Sequence, residues 1–220
     1  MKRRIIVTGD GSKTIQIEDW DEQYHSKHGA IQEAYHVFIE HGLRLFKSTR
    51  ISILEIGFGT GLNALITLLE VEKLNLQVNY VGVEAFPVSF AEVKELDYCT
   101  QLNSREHQGS FEKMHKSEWE SQVSITDGFQ LKKQLKDFNS INDINLFNLV
   151  YFDAFGARVQ PELWTEEVFL KMYQAMKQEG VLVTYAAKGS VRRALQAVGF
   201  KVERLPGPPG KREMLRATKI

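Results

Sequence analysis

The sequence predicts an α/β protein with a doubly wound, mostly parallel sheet of seven strands that ends in an antiparallel hairpin. Three observations support this fold. An apolar run over residues 51–56 precedes a glycine turn and an amphipathic segment, the pattern of a buried strand, a tight turn and a helix. Strand and helix patterns then alternate as far as residue 199. Two final strand patterns, at 200–205 and 213–218, follow each other without a helix.

The other elements are predicted from hydrophobic period and turn residues. An N-terminal hairpin pairs residues 5–7 with 14–17, and a polar loop at 24–29 leads into a helix at 30–46. Further strands are expected at 79–84, 123–125, 148–152 and 180–186, and further helices at 62–69, 88–96, 129–138, 161–177 and 190–198. Pro87 suits the first position of its helix. Residues 109–118 are expected to be irregular.

Length and composition describe an ordinary globular chain. Its 220 residues are predicted to form a single domain, with the hairpin, loop and helix at 1–48 and a Rossmann-like core at 49–220. No apolar run reaches the roughly 18 residues of a membrane span, and no secretory signal is visible, so a soluble cytoplasmic protein is expected. Cys99 is the only cysteine and the histidines show no ligand spacing, so no metal is expected.

A glycine turn follows the first core strand. Gly57, Gly59 and Gly61 supply a backbone that a ligand can approach closely. Their G-x-G-x-G spacing differs from the dinucleotide pattern, so S-adenosylmethionine is favoured over a nicotinamide dinucleotide. Glu55 supports this interpretation, since a carboxylate suits the methionine ammonium and would repel a phosphate.

Acidic residues end the later strands. Glu84, 23 positions after Gly61, is predicted to accept hydrogen bonds from both ribose hydroxyls, although a solvated strand end has the same pattern. Asp127 is predicted either to accept from the adenine amino group or to cap a helix. Asp153 stands among aromatic residues and is predicted to face the methyl acceptor, with strand-end capping as the alternative.

The C-terminal end is basic. Residues 188–220 contain nine basic and two acidic residues on a chain of zero net charge, which is typical either of a phosphate-binding face or of a solvated surface. A methyl acceptor that is an amine must be neutral, so a carboxylate that orients it and takes a proton is the useful group. Methyl transfer is otherwise governed by positioning.

Five segments together resemble one family. The segments ILEIGFGTGLN, YVGVEAFPVS, YFDAFGARVQPELW, GSVRRALQAVGF and PGKREML are similar to the methyltransferases that complete 5-methylaminomethyl-(2-thio)uridine at the tRNA wobble position. These are the stand-alone MnmD enzymes and the N-terminal part of bifunctional MnmC. The glycine segment is common to many methyltransferases, whereas the D-x-F…P-x-x-W segment followed by VRR and KREML is far more specific.

The resemblance implies a class I S-adenosylmethionine-dependent fold and a role for each matching residue. The glycines become the cofactor turn, Glu84 the ribose acceptor, Asp127 the adenine-side acid and Asp153 the residue facing the acceptor amine. The tRNA phosphate contacts are implied to include Lys188, Arg192, Arg193, Lys211 and Arg212. The residues themselves suggest that Phe155 and Trp164 stack a planar base beside Asp153, with a place in the apolar core as the alternative. The loop over residues 24–32 is implied to border the same pocket.

Two departures from the family pattern stand out. The rim sequence is Asp153-Ala154-Phe155-Gly156-Ala157 where the bifunctional enzymes tend to have D-G-F-A-P. No flavin-dependent oxidoreductase part is recognisable, so no flavin is expected and the substrate is expected to be the 5-aminomethyl form.

Three other functions stay open: methylation of a small-molecule or protein amine, nicotinamide-dependent oxidoreduction, and tRNA binding without catalysis.

Overall fold

A computed structural model of the protein describes residues 2–220, which form two sheets and the helices that pack on them. The N-terminal sheet has three antiparallel strands: β1 (Arg3–Val7), β2 (Lys13–Ile17) and β3 (Glu22–Gln23). The predicted N-terminal hairpin is therefore confirmed. Its turn is fixed by the Asp10 carboxylate, which accepts hydrogen bonds from the Ser12 backbone at 3.0 Å and from the Gln32 backbone at 3.0 Å.

The larger sheet carries the predicted parallel core. Its strands are β4 (Arg50–Ile56), β5 (Gln77–Glu84), β6 (Gln122–Thr126), β7 (Phe129–Leu135), β8 (Phe147–Phe152), β9 (Met176–Thr184), β10 (Phe200–Pro206) and β11 (Glu213–Lys219). They lie in the order β10-β11-β9-β8-β4-β5-β7-β6. The five central strands are parallel, and β10–β11 forms the expected antiparallel hairpin at one edge. The sheet has eight strands rather than the predicted seven.

The additional strand is β7, so the predicted helix over residues 129–138 is wrong. Phe129, Leu131 and Lys133 are buried and alternate with more exposed residues, which is the period of a strand. β7 pairs in parallel with β5 and antiparallel with β6. Its seven residues offer too few apolar positions to separate the helical period from the strand period, and pairing with β5 decides between them.

Seven α-helices connect these strands in the described part of the chain. They are α1 (Ala30–Ala34), α2 (Leu62–Val71), α3 (Phe90–Leu96), α4 (Tyr98–Gln101), α5 (Gln108–Lys116), α6 (Glu166–Ala175) and α7 (Gly189–Ala197). None of the helices within residues 2–220 has the length and apolar character that a membrane crossing requires. Helices pack on both faces of the large sheet, since Ile53 belongs to one apolar cluster and its neighbour Leu54 to the other.

Three predictions about where helices form or begin need correction. The helix expected at 30–46 is α-helical only in α1, then π-helical over Tyr35–Glu40 and 3₁₀ over Leu43–Leu45. Residues 109–118 are mostly helical in α5, because Phe111 and Met114 are three positions apart and bury one face. Helix α3 is capped by Ser89 in a reciprocal box with Glu92, which leaves Pro87 outside the helix.

The N-terminal sheet is fastened beside the carboxyl ends of the parallel strands. The Arg158 guanidinium, in the connection after β8, donates to the carbonyls of Trp20 at 3.2 Å and Asp21 at 3.1 Å. It also pairs with the Glu22 carboxylate at 2.9 Å. The N-terminal residues therefore form one wall of the cavity at that edge of the large sheet.

Lys133 makes the stability of this fold depend on pH. Burial lowers the pKa of its ammonium to about 8, although the group donates to the His115 carbonyl at 2.7 Å. Between about pH 8 and the normal lysine pKa the unfolded chain binds more protons than the folded protein, so stability rises with pH there. Lys133→Met removes that contribution.

Wild-type stability should therefore increase relative to Lys133→Met between about pH 8 and pH 10. Urea unfolding at several pH values measures the difference, with Lys132→Met, on the same strand, as the matched control. A difference between wild type and Lys133→Met that stays constant with pH would show that Lys133 carries no such linkage.

Candidate active site

One large cavity lies at the carboxyl ends of the parallel strands. Strand β4 is flanked by β5 on one side and β8 on the other. The chain passes from β4 to β5 and, after β7, crosses back to β8, so the connections diverge at this point and leave a crevice there. The cavity has a volume of about 1040 Å³. That is at the upper limit of the roughly 300–1,000 Å³ typical of small-molecule sites, so a cofactor and a second reactant can be accommodated together.

The glycine turn lies at the floor of this cavity, which Gly57 and Gly59 line and Gly61 does not. Gly57 has a φ of +88°, and an added Cβ would lie 2.7 Å from the Asp153 carbonyl oxygen. Gly59 has a φ of +49° and faces the Tyr24 ring, and Gly61 has a φ of +74° and faces His115. All three backbone conformations favour glycine, and at Gly57 a side chain would also collide with the backbone of Asp153.

Glu84 lies at the end of β5, next to the glycine turn. Its carboxylate accepts the Gly59 backbone N–H at 2.9 Å and the Phe86 backbone N–H at 2.8 Å. Each carboxylate oxygen retains acceptor capacity for a ligand hydroxyl. The two backbone bonds fix the orientation of the Glu84 carboxylate, and its ribose-binding role stays a prediction.

Asp127 does not lie at this edge of the sheet, and its prediction as a cofactor residue is wrong. It lies in the turn between β6 and β7, beside Arg50 and Gln77 at the amino ends of β4 and β5. Because β6 runs antiparallel to β7, its carboxyl end points away from the cavity. The acid at the carboxyl end of β7 is Asp137, which lines the cavity with Phe138 and Asn139.

A buried polar chain connects the sheet to Asp153. The Asn63 amide nitrogen donates to Glu55 Oε1 at 2.9 Å and to Asp153 Oδ2 at 2.8 Å. Glu55 is 1% exposed and does not line the cavity, so it reaches the cavity through Asn63. Burial raises the pKa of Glu55 well above its usual range, and the nearby charge of Asp153 raises it further.

Asp153 follows β8 and carries a strongly shifted pKa. Burial raises the pKa of its carboxyl to about 7, and the charge of Glu33 acts in the same direction. The Asn63 hydrogen bond and the Lys211 ammonium lower the pKa and so limit the shift. A carboxyl group that is half ionised near neutral pH is suited to proton transfer.

Aromatic side chains form the wall beside Asp153. The Phe155 ring lies 4.9 Å from the Tyr24 ring and 5.7 Å from the Trp20 ring, both edge to face, and all three residues line the cavity. Trp164 was predicted to contact substrate, but it is buried against Phe152 and does not line the cavity. Its indole N–H instead donates to the Phe155 carbonyl at 2.8 Å.

The basic residues predicted to contact substrate divide into two groups. Exposed Lys188 and Arg212 line the cavity mouth. Lys211 also lines the cavity, but its ammonium is paired with the Glu33 carboxylate and lies 3.9 Å from the centre of the Tyr185 ring. It is therefore a wall residue rather than a free surface cation. Arg192 and Arg193 lie on α7 outside the cavity.

A family model for S-adenosyl-L-methionine-dependent methyltransferases matches residues 95–220, more than half of the chain. The chain belongs to this family. Its cofactor is accordingly S-adenosylmethionine, and the fold is the class I methyltransferase fold expected from the sequence.

Curated relatives and solved structures show which members of the family this chain is similar to. The tRNA 5-methylaminomethyl-2-thiouridine biosynthesis bifunctional proteins MnmC of Hydrogenovibrio crunogenus and Pseudomonas savastanoi pv. phaseolicola are each 30% identical to this chain, over 89% and 92% of it. The chain spans about a third of the length of these relatives, 31% and 34%. The crystal structure of MnmC2 from Aquifex aeolicus superposes with a TM-score of 0.76 at 28% identity, covering 98% of this chain and 70% of that one.

A more distant structure shares the fold alone. Spermidine synthase from Thermotoga maritima superposes with a TM-score of 0.55 at 16% identity, covering 99% of this chain and 73% of that one.

The residues of this methyltransferase fit its cofactor. Asn63 Oδ1 is buried without a hydrogen-bond partner among the described residues and is an acceptor for a ligand N–H. The glycine turn leaves room that any Cβ would fill, and Glu84 would hold the ribose hydroxyls. Asp137 replaces Asp127 as the candidate acid on the adenine side.

Several residues of the site carry no local signal in the sequence. Asn63 follows the glycine turn by two positions, Glu33 lies in a helix, and Tyr185 follows β9, where its hydroxyl donates to the Ala154 carbonyl at 2.8 Å. A search for polar residues just after strand ends could have identified Tyr185, after β9, and Asp137, after β7. Glu33 comes to the cavity only through the packing of the N-terminal part.

Glu84 and Asp127 form a matched pair for testing the cofactor site. Glu84→Ala should weaken S-adenosylmethionine binding at least about tenfold, since it removes the hydroxyl acceptor and frees the Gly59 backbone N–H. Asp127→Ala should leave the affinity unchanged, because Asp127 lies at the opposite edge of the sheet. Isothermal titration calorimetry measures both, and equal losses would contradict the assignment of the site to the carboxyl edge.

Proposed function

We propose that this methyltransferase methylates the amine of the 5-aminomethyl group of (2-thio)uridine at the tRNA wobble position, giving 5-methylaminomethyl-(2-thio)uridine. The observation that carries the proposal is the Asp153 carboxyl, which lies beside the glycine turn at the junction of the cofactor floor and the aromatic wall. The printed names of the MnmC relatives, which match over most of this chain, support the choice of acceptor. The reaction would take place in the cytoplasm, with tRNA.

The chemistry requires a positioned amine and a base. S-Adenosylmethionine, when bound, supplies a methyl group on a sulfonium that leaves as the neutral thioether as the new C–N bond forms. A primary amine attacks only in its neutral form, so the ammonium form must first lose a proton. Asp153, with its pKa near 7, accepts that proton and later releases it to solvent.

The aromatic wall suits a pyrimidine ring. Phe155 presents an aromatic surface beside Asp153, and Trp20 and Tyr24 hold its ring edge to face. Bases of single-stranded RNA are commonly bound by stacking on such rings. An anticodon-loop base is already unpaired, so little energy is lost when it enters the cavity. Residues 2–48 thereby belong to the same functional unit as the Rossmann-like core.

The surface around the mouth suits an RNA backbone. Lys188 and Arg212 lie at the rim, whereas the carboxyl groups of Glu33 and Asp153 lie inside. Cations outside would bind phosphate, and carboxylates inside would favour a positively charged aminomethyl group over a negatively charged substituent. Arg192 and Arg193, on α7, extend the basic surface away from the mouth.

Asp153→Asn tests the proposed base. Methyl transfer to tRNA carrying 5-aminomethyluridine should fall by at least about 100-fold, since the carboxylate is removed while its shape and the Asn63 contact are largely kept. S-Adenosylmethionine binding should stay within a few-fold of wild type. In the wild-type enzyme kcat should rise with pH through about 7, as the carboxyl ionises.

Labelled cofactor and nucleoside mass spectrometry measure this reaction. One added methyl on the wobble nucleoside is the expected product. Full activity in Asp153→Asn would eliminate Asp153 as the base, and methylation of a small-molecule or protein amine instead of tRNA would eliminate the proposed acceptor.

The rim cations give a second test. Lys188→Ala combined with Arg212→Ala should weaken tRNA binding and reduce the slope of log affinity against log salt by roughly 1–2, because up to two phosphate contacts are lost. Arg50→Ala, an exposed arginine at the opposite edge of the sheet, is the matched control. Filter binding across a salt series measures the slopes, and equal slopes in all three proteins would refute the rim assignment.

A further inference from the structure

Asn63 is a buried side chain of the cavity wall whose amide oxygen is available to the cofactor and whose amide nitrogen faces the proposed base. It stands in the first turn of α2 and is 3% exposed. An amide nitrogen has two hydrogens, and Asn63 directs one to Glu55 and the other to Asp153. In this orientation one amide group hydrogen-bonds both carboxyl groups at once.

Glu55 anchors the other end of this arrangement. It is buried on the central strand β4, where the Tyr80 hydroxyl faces it from β5. A carboxyl held on a central strand provides a rigid reference point, since β4 pairs with neighbours on both sides. Asp153 follows the last residue of β8, and Asn63 is the side chain that hydrogen-bonds its carboxylate.

We propose that Asn63 is a positioning residue for methyl transfer: it orients the Asp153 carboxylate through one hydrogen bond while Glu55 holds the amide through the other. This inference rests on the proposed role of Asp153 as the base. Because the Asn63 hydrogen bond is made to Oδ2 of Asp153, Oδ1 keeps more acceptor capacity and is the oxygen favoured to take the acceptor proton. The amide thus biases which oxygen reacts.

The same hydrogen bond favours the ionised form of Asp153. The ionisable side chains that face Asp153 are Glu33 from α1, Glu55 from β4, Tyr80 from β5, Tyr185 after β9 and Lys211 from the β10–β11 connection. Lys211 is the cation among them, and its ammonium is already paired with Glu33. Asn63 is therefore a principal stabiliser of the carboxylate at neutral pH.

The test is Asn63→Ala, with Asn148→Ala as the matched control. Asn148 lies at the start of β8, where it accepts hydrogen bonds from the Ser52 backbone and from Lys177, far from the cavity. In Asn63→Ala kcat should fall about 10- to 100-fold, and the pH of half-maximal activity should rise by about one unit. Asn148→Ala should keep the wild-type pH profile. Glu55→Gln, which retains an acceptor for Asn63, should lose less activity than Asn63→Ala.

A second measurement is independent of the acceptor. Carbon-13 NMR of protein labelled at aspartate carboxyl carbons, assigned with Asp153→Asn, follows the ionisation of Asp153 directly. Its pKa should rise by about one unit in Asn63→Ala, or in Asn63→Ser if the alanine variant does not fold.

An unchanged Asp153 pKa, or an unshifted activity profile, would overturn the positioning role. A raised pKa in the variant, together with a wild-type protein that leaves tRNA unmethylated, would overturn the proposed acceptor alone.

Discussion

The structure depends on the contact between two neighbouring strand ends. The Gly57 backbone approaches the Asp153 carbonyl so closely that a methyl group on Gly57 would lie 2.7 Å from it. The Asp153 backbone N–H also donates to the Ile56 carbonyl at 3.0 Å, and this bond holds the end of β4 against the end of β8, where the strand order reverses. The cofactor turn and the proposed base are therefore set side by side by backbone geometry, before any side-chain contact is considered.

A second constraint is the burial of charge around Asp153. Glu33 and Glu55 are nearly inaccessible, and each has a specific partner, Lys211 for the first and Asn63 for the second. Burial of carboxyl groups is tolerated only with such partners. Burial of Asp153 itself, with the charge of Glu33 acting in the same direction, raises its pKa to about 7. The N-terminal part contributes directly, since it supplies Glu33 together with Trp20 and Tyr24 of the aromatic wall. It shapes the acceptor side of the cavity and not merely its surroundings.

The sequence predictions succeed where the position of a residue depends on its neighbours in sequence, and they fail where it depends on residues far along the chain. Gly57, Gly59, Glu84 and Asp153 lie at the cavity because parallel strand ends meet at one edge of the sheet, and their roles there stay predictions. Asp127 was misplaced because the following segment is a strand, which makes β6 antiparallel and reverses its direction. Lys211 was identified as basic, but its pairing with Glu33 joins residues 178 positions apart.

The sequence by itself determined the class of fold, the cofactor turn and the acids that follow its parallel strands. Hydrophobic period and glycine spacing are local properties, and they carry that information over a few residues. Tertiary structure alone decided which groups act together. The two hydrogen bonds of Asn63, the exchange of Asp127 for Asp137 and the closure of the cavity by the N-terminal sheet all join segments far apart in the chain. Sheet order and side-chain packing bring these segments together, and neither can be read from local spacing.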